Sequence, residues 1–144
     1  MVGIMKSQIQ TLNSTSLDLF ALKELYRSCK WDWIEPETEM SAAFRGSFRL
    51  YGYWIDEQLV GFGRIISDGQ IYGLLVDFMV HPEFRRRGIG KALLESIVND
   101  CQKAGLKVIQ LLASREGLLL YEKMGFAICP SSSPGMVKFL AVTA

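Results

Sequence analysis

The chain has 144 residues, 49% of them apolar and 22% charged, with a net charge of +1. That length suits a single domain, 1–144, with a full-sized core. The near-neutral charge argues against a dedicated nucleic-acid binder, which needs a basic face. No apolar run approaches the roughly 20 residues that span a bilayer, and the first ten residues carry no signal-peptide core, so a cytoplasmic protein without membrane attachment is expected. The three cysteines, Cys29, Cys101 and Cys129, are odd in number and widely spaced, and His81 is the one histidine. That arithmetic predicts neither a disulfide framework nor a metal site.

Val2 to Thr11 reads as a first strand. Thr15-Ser16-Leu17-Asp18 resembles a capping box, and the apolar positions Leu17, Phe20, Ala21, Leu25 and Tyr26 recur at helical spacing up to about Cys29. Trp31 and Trp33 follow in a loop, and Pro36 can open a second helix reaching about Phe44. The period then changes to two. Phe48 to Ile55 and Leu59 to Ile66 read as strands joined by a hairpin at Asp56-Glu57-Gln58. Asp68-Gly69 marks a turn before a strand from Ile71 to Val80. From Ile89 to Ala104 a helix places Ile89, Leu93, Leu94, Ile97, Val98 and Cys101 on one face, and Gly105 is its natural terminator. Val108 to Leu112 reads as a short buried strand. A helix from about Gly117 to Met124 stops at Gly125, and Phe126 to Cys129 and Met136 to Val142 read as the last strands, separated by a Pro- and Ser-rich loop. The expected architecture is α/β, with one mixed, mostly antiparallel central sheet of about seven strands flanked by about four helices.

The most informative stretch lies between the strand ending at Val80 and the helix starting at Ile89. Arg85-Arg86-Arg87-Gly88-Ile89-Gly90-Lys91 is a basic turn with two glycines, which let the backbone bend sharply with its N–H groups converging. The helix behind it offers unpaired N–H groups and the positive end of its dipole. Strand, glycine turn and helix N-terminus together make an anion site suited to phosphate. A Walker A loop would need glycine where Arg85 stands and a hydroxyl where Ala92 stands. A dinucleotide fingerprint would need glycine at Leu93. Neither pattern fits.

Arg-x-x-Gly-x-Gly after Val-x-Pro resembles the pyrophosphate loop of the GNAT family, the Gcn5-related N-acetyltransferases. Tyr121-Glu122-Lys123-Met124-Gly125-Phe126 is similar to that family's downstream Tyr-x-x-x-Gly-Phe element. The distance between the two leaves room for one helix and one strand, and the order of elements over nearly the whole chain matches. The resemblance implies an acetyl-CoA-dependent N-acetyltransferase in which the amine attacks the thioester directly in a ternary complex. It implies that the amides of Arg86, Arg87, Gly88, Ile89 and Gly90 hold the pyrophosphate, with Arg85 and Lys91 beside them. Each hydrogen bond to a charged phosphate contributes roughly 1.5–3 kcal/mol net. The arginine side chains have a plainer reading as solvated surface.

The resemblance further implies that the backbone of Phe78, Met79 and Val80 pairs with the pantetheine arm, and that the Phe78 N–H donates to the acetyl oxygen as charge develops there. Tyr121 matches the family's general acid for the leaving thiolate. With reference values of about 10 for a phenol and about 8.5 for a thiol, full proton transfer is uphill by roughly 2 kcal/mol, so a hydrogen bond to sulfur is the expected role. Where the family often has Asn and Ala, this chain has Ser114 and Gly117. Ser114 keeps a hydrogen-bonding group of shorter reach for the cofactor.

The acceptor side is less defined. Releasing the lone pair of an alkyl amine at neutral pH costs roughly 4–5 kcal/mol. Asp77 is the candidate base, with the alternative that it points to the other face and pairs with a basic group. Trp31, Trp33 and Glu35 would line an aromatic, acidic pocket for a small cationic or aromatic amine through cation–π contact. Equally, the tryptophans would anchor their loop to the core. None of the cysteines has a histidine or basic activator nearby in sequence, which disfavours an acyl-cysteine route. A homodimer is expected by analogy with relatives. The rival from another class is a catalytically silent sensor or interaction module that binds CoA in the same fold.

Overall fold

A computed structural model describes residues 6–31 and 37–140. The chain divides into two compact units, Met1–Leu111 and Leu112–Ala144. Among the described residues no helix is long and apolar enough to cross a membrane.

The first unit is a five-stranded sheet in the order β1-β2-β3-β4-β5. Its strands are β1 (Ser7–Leu12), β2 (Arg49–Ile55), β3 (Gln58–Ser67), β4 (Tyr72–Val80) and β5 (Val108–Gln110). The first three pairings are antiparallel and β4 with β5 is parallel. Helices α1 (Leu19–Ser28) and α2 (Glu37–Arg45) cover one face, and α3 (Ile89–Lys103) covers the other. The mixed, mostly antiparallel sheet is the one expected.

Period-2 alternation, reset on β3 by the register shift opposite Tyr53 and Trp54, explains the two layers. Leu50 on β2 and Leu59 and Phe62 on β3 join Met79 of β4 in one core cluster with Leu22, Leu25 and Tyr26 of α1 and Met40 and Phe44 of α2. On the opposite face, Ile89, Leu93, Leu94, Ile97 and Cys101 of α3 are all buried. These are five of the six positions expected from helical spacing, and Val98 is half-buried. Gly105, with φ +86°, ends α3 in the left-handed region, as a C′ glycine does.

Asp18 caps α1 itself, its Oδ1 accepting the Ala21 N–H at 3.0 Å. Thr15 is instead turned onto Asn13, donating its hydroxyl to Asn13 Oδ1 at 2.7 Å, so the expected capping box does not form. The helix therefore starts later, and its buried stripe is Leu22, Leu25 and Tyr26, leaving Phe20 75% exposed.

The second unit holds α4 (Leu118–Lys123). Among the described residues the sheet has five strands where about seven were expected, and residues 126–140 form none; the end of the last expected strand, 141–142, lies outside the described residues. Alternating apolar residues are equally compatible with extended coil. A strand also needs a ladder partner on a neighbouring segment. Met136, Phe139 and Leu140 are accordingly exposed. Nor is β5 buried as expected, since it is a three-residue strand with Val108 39% exposed.

Candidate functional site

The site is built where β4 stops being regular. Phe62 pairs with Met79, but the next pair is Arg64 with Val76. Between those pairs β3 has one residue, Gly63, and β4 has two, Asp77 and Phe78. This is a β-bulge on β4, which bends the strand and interrupts its ladder. Asp77 takes φ +54°, the left-handed conformation that aspartate tolerates better than most residues. Gly63 is matched to the bulge, because a Cβ there would lie 3.0 Å from Ile97 Cδ1 and 3.2 Å from Phe78 Cδ2. Phe78, Met79 and Val80, the predicted pantetheine positions, run from the bulge to the strand end.

The loop follows directly. His81 donates its backbone N–H to Val60 O at 2.7 Å, and a 3₁₀ turn spans Pro82–Phe84. Arg86 has φ +63° and Gly88 has φ +80°, so two left-handed residues bracket Arg87. Turns of this kind bring successive N–H groups to face one point. Gly88 is also the N-cap of α3, and no side chain caps that end. The amides of Ile89, Gly90 and Lys91 thus belong to a first helical turn without a side-chain acceptor, backed by the dipole of a 15-residue helix.

The three arginines are not equivalent. Arg85 turns back, its Nε donating to Val80 O at 3.0 Å, which ties the loop to the end of β4. The guanidinium of Arg87 stacks over Phe84, 5.0 Å from the ring centroid. Arg86, Arg87, Gly88 and Lys91 are exposed, and Ile89 is buried. The groups this loop leaves open for the expected phosphate contacts are therefore mainly those of the main chain, with exposed basic side chains around them.

Asp77 is placed by the alternative reading of its sequence position. Its carboxylate is 7% exposed and pairs with Arg64, whose Nε donates to Oδ2 at 2.8 Å. The same Oδ2 accepts the Tyr26 hydroxyl at 2.8 Å. Arg64, itself 8% exposed, also donates from Nη1 to Ser47 Oγ at 3.1 Å. Burial first, and the Asp77 carboxylate second, push the Tyr26 phenol far above its ordinary value, so it remains a donor. Sequence reasoning missed Arg64 and Tyr26 here. The signal was available, since Arg64 is a lone charge inside the apolar run from Leu59 to Ile66, and such a charge needs a partner.

Trp31 packs edge-on to Tyr26, with centroids 5.8 Å apart, and lies against the α1/α2 core. Trp33 and Glu35 lie outside the described residues.

In the second unit Ser114, Gly117 and Tyr121 form one local arrangement. Ser114 Oγ accepts the Gly117 N–H at 3.1 Å, and Ser114 O accepts the Leu118 N–H at 3.0 Å, together starting α4. The departure at Gly117 lies directly against the Tyr121 ring. A Cβ there would stand 2.9 Å from Tyr121 Cε2, too close without movement of the ring. Tyr121 is 7% exposed, stacks edge-on to Phe126, and its phenol is pushed up by burial. It is a hydrogen-bond donor that stays protonated through neutral pH.

A bulged strand running into a left-handed glycine turn and an uncapped helix is how a fold offers backbone donors to a diphosphate. Comparison with known proteins gives the family. The family model described as an acetyltransferase (GNAT) domain matches residues 47–128, and the chain belongs to the GNAT acetyltransferase family. An uncharacterized N-acetyltransferase of Porphyra purpurea is 27% identical over 128 residues, covering 86% of this chain and 73% of the relative. A chloroplastic serotonin N-acetyltransferase of Oryza sativa subsp. japonica is 27% identical over 131 residues, covering 86% of this chain and 64% of that protein. Among solved structures, a GNAT family acetyltransferase from Streptococcus pneumoniae superposes with a TM-score of 0.76 at 22% identity, covering 95% of this chain and 98% of that one, which supports the fold.

Proposed function

We propose that the chain transfers the acetyl group of acetyl-CoA to the primary amine of a small molecule, by direct attack in a ternary complex. The observation that carries this reading is the loop from Arg86 to Gly88, with two positive φ values leading into the uncapped N-terminus of α3 at the end of a bulged strand. The diphosphate of the donor sits on the amides of Arg86 to Gly90. The backbone of Phe78 to Val80 lies along the pantetheine arm, and the Phe78 N–H donates to the carbonyl oxygen that becomes anionic during attack. The amine nitrogen adds to the carbonyl carbon, the carbon–sulfur bond breaks, and the electron pair leaves on sulfur. Tyr121 donates its hydroxyl hydrogen bond to that sulfur, and the proton shed by the acylated nitrogen ends on the thiol.

Asp77 is not the base in this reading, because its buried carboxylate is held in an ion pair with the Arg64 guanidinium and accepts the Tyr26 hydroxyl at the same oxygen, Oδ2. Water carries the proton from the amine. The relative named for serotonin N-acetylation favours an acceptor with an aromatic body. The test is thiol release from acetyl-CoA across a panel of primary amines, with product mass measured. Amine-dependent release with a matching acetylamide is the expected result. Binding of acetyl-CoA with no release for any amine would overturn the assignment in favour of a silent CoA-binding module.

A further inference from the structure

We propose that the buried cluster of Arg64, Asp77 and Tyr26 holds the β4 bulge in shape, which makes Arg64 and Tyr26 positioning residues for the Phe78–Val80 backbone. The inference rests on the reading that this backbone carries the thioester, and adds what keeps it in place.

A left-handed residue in mid-strand is disfavoured for any side chain with a Cβ, and a bulge interrupts the ladder that would otherwise fix the strand. Asp77 therefore needs support from elsewhere in the fold. It receives it from two directions at one oxygen, the Tyr26 hydroxyl from α1 and the Arg64 Nε from β3, each at 2.8 Å. Arg64 is in turn held by Ser47 Oγ at 3.1 Å and lies 5.6 Å from the centroid of the Phe44 ring. The guanidinium and carboxylate side chains are 10% and 7% exposed, so water competes little for either. Tyr26 is fully buried and packs on Phe44 and Phe62, which leaves its ring no room to swing away. One side chain of the bulge is thus clamped to α1, to β3 and to the turn before β2. A loss of the clamp frees the bulge to slip back into register. That would move Phe78 by one position and turn its N–H away from the reacting carbonyl.

The experiment uses the full chain carrying Tyr26→Phe, which removes only the hydroxyl, or Asp77→Asn, which keeps the shape and a side chain tolerant of positive φ. Hydrogen exchange is read on the ligand-free protein at Val76, Met79 and Val80, with Leu94 and Ile97 of α3 as the measure of global opening. CoA affinity and turnover are measured alongside. Expected in both variants are exchange about tenfold or more faster around the bulge with α3 unchanged, turnover lower by about 10–100-fold, and CoA affinity lowered by about tenfold at most, since the pantetheine-facing backbone loosens while the diphosphate loop is untouched. Unchanged exchange around the bulge in both variants overturns the proposal. So does a fall in turnover with unchanged exchange, which would make the Asp77 carboxylate a chemical participant. Arg64→Met removes a buried charge partner and is read only if it folds; the two milder variants decide the matter without it. A wild-type chain that binds no CoA would refute the functional reading, while the exchange result still judges the clamp.

Discussion

Replacing Gly88 by alanine separates the backbone from everything else at the site. Gly88 sits at φ +80°, and a Cβ added there meets nothing within 4 Å, so the substitution has no steric penalty against neighbours. Its only cost is that of holding an L-residue in the left-handed region, about 1–2 kcal/mol. Ligand-free, the variant can relax its loop and avoid that cost. On binding it must return to the shape that points the amides at the diphosphate. The penalty then appears in affinity, and at about 1.4 kcal/mol per factor of ten the dissociation constant for CoA rises about 5–30-fold. Turnover at saturating acetyl-CoA stays near wild type, because the loop does no chemistry. Gly69 provides the control, with φ +78° and an equally open Cβ position in the β3–β4 turn. Gly69→Ala carries the same backbone cost away from the site. Calorimetric titration of CoA into the three proteins is the assay. Equal affinities for Gly88→Ala and Gly69→Ala would refute the claim that the left-handed turn presents the phosphate-binding amides.

Tyr121→Phe should lower turnover by about 10²–10⁴ with little change in CoA affinity, checked by steady-state thiol release against calorimetry; unchanged turnover removes Tyr121 from the mechanism. Gly117→Ala should lower turnover about tenfold or more, since the new Cβ, 2.9 Å from Cε2, must push the Tyr121 ring aside; near-ultraviolet circular dichroism would register the ring shift, and a fully active variant would contradict it. Asp68 accepts the N–H groups of Ile71, Gln70 and Tyr72, and the Ile71 hydrogen bond foremost holds its carboxyl below the usual value. A lowered folded value means stability present above the unfolded value of about 3.9 and lost as pH falls through the folded one. The Tm deficit of Asp68→Asn should accordingly be full at pH 6 and close progressively below about pH 4; a deficit independent of pH would contradict the charge assignment.

The fold was legible wherever a local pattern has one structural meaning. The apolar stripe of α3, the glycine turn ahead of it and Gly105 behind it are each specified by neighbouring residues, and all three are where the sequence places them. The hairpin at Asp56 and the turn at Asp68-Gly69 follow for the same reason. What failed was long-range. Whether residues 126–129 or 136–140 form strands depends on a partner edge, and alternation along one segment carries no information about that. The bulge was equally hidden, because it is a mismatch in count between β3 and β4 that neither strand shows alone. Asp77 drew attention by position as a candidate base, but its partners Tyr26 and Arg64 are 51 and 13 residues away in sequence. Gly117, a departure from the family's usual Ala, borders the Tyr121 ring, a proximity that the residue type alone does not show.

The account stands on main-chain donors at the β4–α3 junction gripping the diphosphate of a thioester carrier. The most direct measurement is an amide NMR titration of the full chain with CoA, repeated with acetyl-pantetheine, which lacks the diphosphate. Shifts concentrated at Arg86 to Lys91 and at Phe78 to Val80 with CoA, and the loss of the Arg86 to Lys91 shifts with the truncated donor, are the predicted result. Saturable CoA binding that leaves the amides of Arg86 to Lys91 unmoved would contradict it.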